Sequence, residues 1–119
     1  MKLEIHQEAL SLGLEALGMY SQEAHPVVTR VVFTKADVHG REFVKSLCRE
    51  TGLAVREDAA GNTFARWIGE NPELEPVGTG SHVDAIPNAG RFDGTVGVLG
   101  GLEAIRALQR AGYRPRRSI

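Results

Sequence analysis

Apolar positions recur with a helical period over several stretches of this chain, and in shorter alternating runs between them. Leu10, Leu12, Leu14 and Leu17, set among Glu4, Glu8 and Glu15, predict a first helix that ends near Gly18. Ser21 to Pro26 reads as a loop, and Val27 to Phe33 as an extended segment crossing the domain surface. Thr34-Lys35-Ala36-Asp37 has the form of a capping box, with aspartate in the usual glutamate place, ahead of a 3.6-residue pattern through Leu47 that Gly52 stops. Leu53–Glu57 and Thr63–Gly69 flank the turn Asp58–Asn62 and predict a hairpin. After the polar connection Asn71–Pro76, the small-residue run Val77–Ser81 predicts a short strand that delivers His82 at its C-terminal end. The last helix is expected from about Gly94 to Ala111. Its polar stripe is Glu103, Arg106 and Arg110, and its remaining faces are apolar, as suits a helix pressed on a sheet. Gly97, Gly100 and Gly101 weaken helix propensity, and close backbone approach to that sheet explains them. Gly112 ends the helix, and Arg114 to Ile119 leads toward another strand. Strands separated by helices predict an α/β layer architecture, in which ligands gather at the carboxyl ends of strands.

Composition narrows the picture without redirecting it. With 119 residues the chain is one domain or part of one. Its formal net charge of -1 offers no general attraction to nucleic acid or to an anionic membrane. Every acidic residue lies at or before Glu103, and Arg106, Arg110, Arg114, Arg116 and Arg117 follow. Cations suit the negative end of a helix dipole, so these arginines read as a solvated helix end and a strand entry. Cys48 is the single cysteine, which excludes an internal disulfide; its apolar neighbours make it a small core residue. The charged N-terminus lacks a signal-peptide pattern and no apolar run reaches membrane-spanning length, so the expected location is the cytoplasm.

The candidate chemistry lies in Ser81-His82-Val83-Asp84-Ala85-Ile86-Pro87 and Gly90-Arg91-Phe92-Asp93-Gly94. A histidine with a carboxylate two residues on, and a second carboxylate shortly after, is a divalent-metal pattern. A carboxylate can bridge two ions about 3.5–4 Å apart, as in hydrolases that clamp a water between them. Asp84 is placed to receive the second ring N–H of His82 once Pro87 bends the segment back, or alternatively to begin a turn with Pro87. Asp93 stands where an N-cap belongs and can cap, bind metal, or do both. Gly90 and Gly94 allow the backbone angles that would aim it. His6, His25 and His39 read as surface or satisfied core residues. The glycines from Gly94 to Gly101 lack the endings of phosphate-binding loops.

The run from Gly78 to Leu99 resembles the di-metal amidohydrolases related to aminoacylase and carboxypeptidase. Within them it is most similar to the branch of ureidoglycolate amidohydrolase, allantoate amidohydrolase and N-carbamoyl-L-amino-acid hydrolase. Val28-Thr29-Arg30-Val31, Phe33-Thr34 and Val55 to Asn62 extend that similarity upstream. The resemblance implies a partial three-layer α/β/α catalytic domain, with residues 1–119 its N-terminal part and the lid or dimerisation domain absent. It implies that His82 and Asp93 are metal ligands, Asp93 bridging two ions, and that Asp84 orients His82. It also implies that the Asp93–Gly94 peptide is cis. The expected cofactors are two divalent ions, Mn first and Zn, Co or Ni as alternatives. The expected substrate is a small ureido, carbamoyl or amidine compound, and the full-length parent is expected to be a homodimer. The family's paired glutamates, later histidine ligands and substrate-binding residues do not occur in these residues, so the isolated chain is expected to be inactive. A peptidase or aminoacylase of the same superfamily, and a non-catalytic structural fragment, are the alternatives.

Overall fold

Leu14 and Leu17 on one face of the first helix, Val44 and Cys48 on the second, and Leu99, Leu102 and Ile105 on the last meet Leu53 in a single core. The computed structural model describes residues 1–119. In chain order its elements are α1 (Gln7–Gly18), β1 (Val28–Arg30), α2 (Lys35–Glu50), β2 (Ala54–Glu57), β3 (Thr63–Arg66), β4 (Ala85–Ala89) and α3 (Thr95–Arg110). The α/β expectation holds. The molecule is a slab of 43 × 34 × 19 Å with a radius of gyration of 14.8 Å, somewhat above the roughly 13.5 Å of a typical domain of this length.

Two antiparallel ladders supply the strands. β2 and β3 form the expected hairpin, in register from Ala54 opposite Arg66 to Glu57 opposite Thr63. Its turn is tied by Asp58, whose carboxylate accepts from the N–H groups of Ala60 and Asn62 and from the Asn62 amide. The Asn62 side chain first, with these backbone bonds, holds the Asp58 carboxyl below its usual range. β1 pairs with β4, Val28 opposite Ala89 and Arg30 opposite Ala85, with an irregularity between. At that irregularity Asn88, at φ 56°, donates its N–H to the Thr29 hydroxyl. Pro87 therefore lies within a strand and does not bend the segment back as a turn.

Other boundaries also differ from the sequence reading. The extended segment shrinks to Val28–Arg30 because Phe33 turns to φ 67°. The cause is the α2 cap: Thr34 accepts from the Asp37 N–H, and the buried Asp37 carboxylate reaches back to the N–H of Phe33, one residue upstream of the usual capping box. Val77–Ser81 is not a paired strand. Only Val77 finds a backbone partner, donating to the Ser118 carbonyl, so no ladder forms. The residues after Arg114 do run alongside the hairpin's end: Trp67 and Ile119 exchange both N–H···O bonds, and Glu70 and Asn71 donate to Pro115 and Arg116. Glu103 is not part of a solvated stripe. It is buried, accepts from the N–H of His6 at 2.9 Å and pairs with Arg110 at 2.6 Å, so it caps α1 from α3. Arg106 donates to Thr51 and to the Leu47 carbonyl at the C-terminal end of α2, a cation at the negative helix end. Cys48 is buried, and desolvation pushes its thiol up. No helix is long and apolar enough to cross a membrane.

Candidate metal centre

The segment from Thr79 to Asp84 lies over the first two turns of α3, and the glycines of that helix set the closeness of contact. A Cβ on Gly97 would come within 2.7 Å of Ser81 Cβ, and one on Gly101 within 3.2 Å of Thr79. Gly94 is more constrained. Its φ is 73°, and a Cβ there would stand 2.5 Å from both the ring and the carbonyl oxygen of His82. Glycine is required twice over, by backbone angle and by the ring packed on it. Gly100 faces open space, so close approach does not explain it; Gly90 is neither crowded nor at positive φ.

These contacts put His82 between two carboxylates. Its Nδ1 lies 3.0 Å from the Asp84 carbonyl oxygen and 3.3 Å from Asp84 Oδ1, while Nε2 faces Asp93 Oδ1 at 3.9 Å. Both acceptors at Nδ1 belong to Asp84, which favours the tautomer with the proton on Nδ1 and a lone pair on Nε2. His82 and Asp84 are each about half exposed at 50 % and 46 %, and Asp93 more so at 71 %. The three side chains named from the motif are thus neighbours. His82 and Asp84 also border a groove of about 680 Å³, half of whose lining is apolar, and Asp93 stands outside it.

Asp93 does not cap α3. The N-cap is Gly94, without a side-chain bond, and the first turn closes through Val96 N–H to the Phe92 carbonyl and Thr95 hydroxyl to the Arg91 carbonyl. The Val96 N–H, which a capping carboxylate could have served, is already bonded to backbone. The Asp93–Gly94 peptide is trans, since the one cis bond is His25–Pro26; the positive φ of Gly94 makes the chain reversal instead. The donors fit half of a divalent site. An imidazole nitrogen and a carboxylate oxygen 3.9 Å apart can meet one ion at the usual ~2.0–2.2 Å from each. No group of three or more His, Cys, Asp or Glu side chains converges to complete it.

Sequence reasoning passed over Arg30. The residue is 1 % exposed, and its Nε–H donates to the Val83 carbonyl at 2.7 Å. Burial pushes its guanidinium pKa down against the pull of Asp37 and Asp84. A single arginine inside the apolar run Val27–Phe33 was the available signal.

No family model matches the chain. Its relatives are nevertheless clear. It is 48% identical over 117 residues to a ureidoglycolate hydrolase of Arabidopsis thaliana, covering 98% of this chain and 25% of that protein. An N-carbamoyl-L-amino-acid amidohydrolase of a Pseudomonas species is 37% identical, over 97% of this chain and 28% of its own. A crystal structure of AtUAH in complex with glyoxylate superposes with a TM-score of 0.96 at 48% identity, over 98% of this chain and 27% of that one. A hydantoinase/carbamoylase family amidase from Burkholderia ambifaria superposes at 0.93 with 39% identity, covering 98% and 29%. The fold over this stretch is therefore that of the hydantoinase/carbamoylase amidases. The chain belongs to the amidohydrolase branch that holds ureidoglycolate hydrolase, allantoate amidohydrolase and N-carbamoyl-L-amino-acid amidohydrolase. It spans about a quarter of the length of the curated relatives it matches.

Proposed function

We propose that residues 1–119 are the N-terminal part of the catalytic domain of a metal-dependent amidohydrolase that cleaves a C–N bond in a linear ureido or carbamoyl compound. The observation that carries this reading is the His82 ring, with Nδ1 on Asp84 and Nε2 turned to Asp93, in a chain 48% identical to a ureidoglycolate hydrolase. Ureidoglycolate is accordingly the first substrate to test, with allantoate and N-carbamoyl amino acids next.

In this reading His82 and Asp93 would supply two of the ligands of a divalent-metal centre, with two ions expected and manganese before zinc, cobalt or nickel, and residues outside these 119 would complete it. When bound, such ions lower the pKa of a water and polarise the scissile carbonyl. Asp84 keeps the His82 proton on Nδ1 and so leaves Nε2 free to donate its lone pair. Gly94, lacking a side chain, leaves the space beside α3 that the His82 ring occupies. The general base, the remaining ligands and the groups that select the substrate come from residues outside these 119. The working protein we propose is a cytoplasmic homodimer whose partner is a small molecule, with neither nucleic acid nor membrane involved.

Metal content and turnover of the complete protein test the assignment. His82→Ala and Asp93→Asn should each lose metal and ureidoglycolate hydrolysis together. Retention of both metal and turnover by either variant would overturn its assignment as a ligand.

A further inference from the structure

Arginine is rarely buried without a carboxylate partner, yet Arg30 at 1 % exposure hydrogen-bonds only to backbone carbonyls. Two of them, Leu17 at 3.0 Å and Tyr20 at 2.7 Å, lie at the C-terminal end of α1, where the helix dipole welcomes a cation. The third is Val83, the residue between His82 and Asp84. α2 is shaped to admit this side chain: a Cβ on Gly40 would sit 2.9 Å from Arg30 Cδ and 3.3 Å from Nε. The backbone of Arg30 is also opposite Ala85 in the β1–β4 ladder. One residue therefore grips the 83–85 segment twice, through its strand and through its guanidinium.

We propose that Arg30 is a positioning residue that selects the His82 tautomer through the Val83 carbonyl. With that carbonyl drawn into the core, the peptide plane before Asp84 is fixed. The pairing of Arg30 with Ala85 in the ladder holds the segment after Asp84, and the two grips together place the Asp84 carbonyl oxygen and Oδ1 on the Nδ1 side of the ring. Released, the segment could rotate, and the half-exposed imidazole would drift toward the mixture of tautomers found in water. The planar fork of arginine suits this task because one side chain can bond three carbonyls spread over two elements; a lysine ammonium is a point donor and cannot span them. The inference deepens the proposed function and rests on His82 being a metal ligand.

Ring nitrogen-15 spectra of His82 at a pH where the ring is neutral read the tautomer directly and need no metal. The native protein should show predominantly Nδ1–H, with a coupling across the hydrogen bond from Arg30 Nε to the Val83 carbonyl carbon. Arg30→Lys and Arg30→Met should each lower the ratio of Nδ1–H to Nε2–H by roughly fivefold, the shift that one ordinary hydrogen bond can command, with lysine the milder. A purely structural arginine would instead lower the melting temperature and leave the ratio in the folded protein unchanged; that result overturns the proposal. If neither variant folds, the native protein decides, and absence of the Arg30–Val83 coupling overturns it equally. Failure of the metal reading is separate, because it would appear as unchanged metal content in His82→Ala whatever the tautomer does.

Discussion

Asp93 makes no hydrogen bond that its removal would break within the fold, and that separates its chemistry from its stability. Asp93→Ala should change the unfolding free energy by no more than about 0.5 kcal/mol, as for surface substitutions generally, while bound metal in the complete protein disappears. Calorimetry beside elemental analysis checks both halves. Gly94→Ala should do the opposite. The new methyl meets the His82 ring at 2.5 Å from a backbone at φ 73°, so a loss of about 1–3 kcal/mol is expected together with displacement of the ring. At this scale the motif was legible because its members are close in sequence: His82, Asp84 and Asp93 span a dozen positions, and the turn into α3 folds them together. Arg30 was legible only as an odd cation in an apolar run, and its role was not, because the carbonyl it holds is 53 positions away.

The glycines of α3 divide by what faces them, and substitution should reveal the division. Gly100→Ala meets nothing within 4 Å and should stabilise the helix by about 0.5–1 kcal/mol, the propensity difference alone. Gly97→Ala drives a methyl to 2.7 Å from Ser81 Cβ, an atom one bond from backbone, so the 79–82 segment must move and stability must fall. Paired chemical melts of the two variants give opposite signs if the segment lies as described. Periodicity predicted the helices well, since Thr34, Gly52 and Gly112 mark their ends locally. It could not foresee that Val77–Ser81 lacks a ladder or that Glu103 turns inward. Both depend on partners far along the chain, Ser118 for one and His6 for the other.

Across the whole molecule, Glu103 gives stability a defined dependence on acid. Burial raises its carboxyl pKa, but the His6 N–H and Arg110 together outweigh that and hold it below the ordinary glutamate value of 4.5. A depressed carboxylate stabilises fully above its unfolded pKa and loses that contribution as pH falls through the folded value. Unfolding midpoints should therefore decline below about pH 4.5, and Glu103→Gln should flatten the decline. The cost of that variant at neutral pH should be about 1 kcal/mol, because Arg110 is partly exposed and water screens the pair. The chain alone, purified and supplied with manganese, should show no turnover of ureidoglycolate above a His82→Ala control, since two donors do not hold two ions.

The same Glu103 contact imposes an order on biosynthesis. The start of α1 waits for a carboxylate that lies 97 residues downstream. At the usual ~5–20 residues per second of translation, that is on the order of 5–20 seconds during which the first helix has emerged with its leading turn frayed. A chaperone or protease acting on the nascent chain would meet the first turn of α1 without this cap until the ribosome has delivered Glu103.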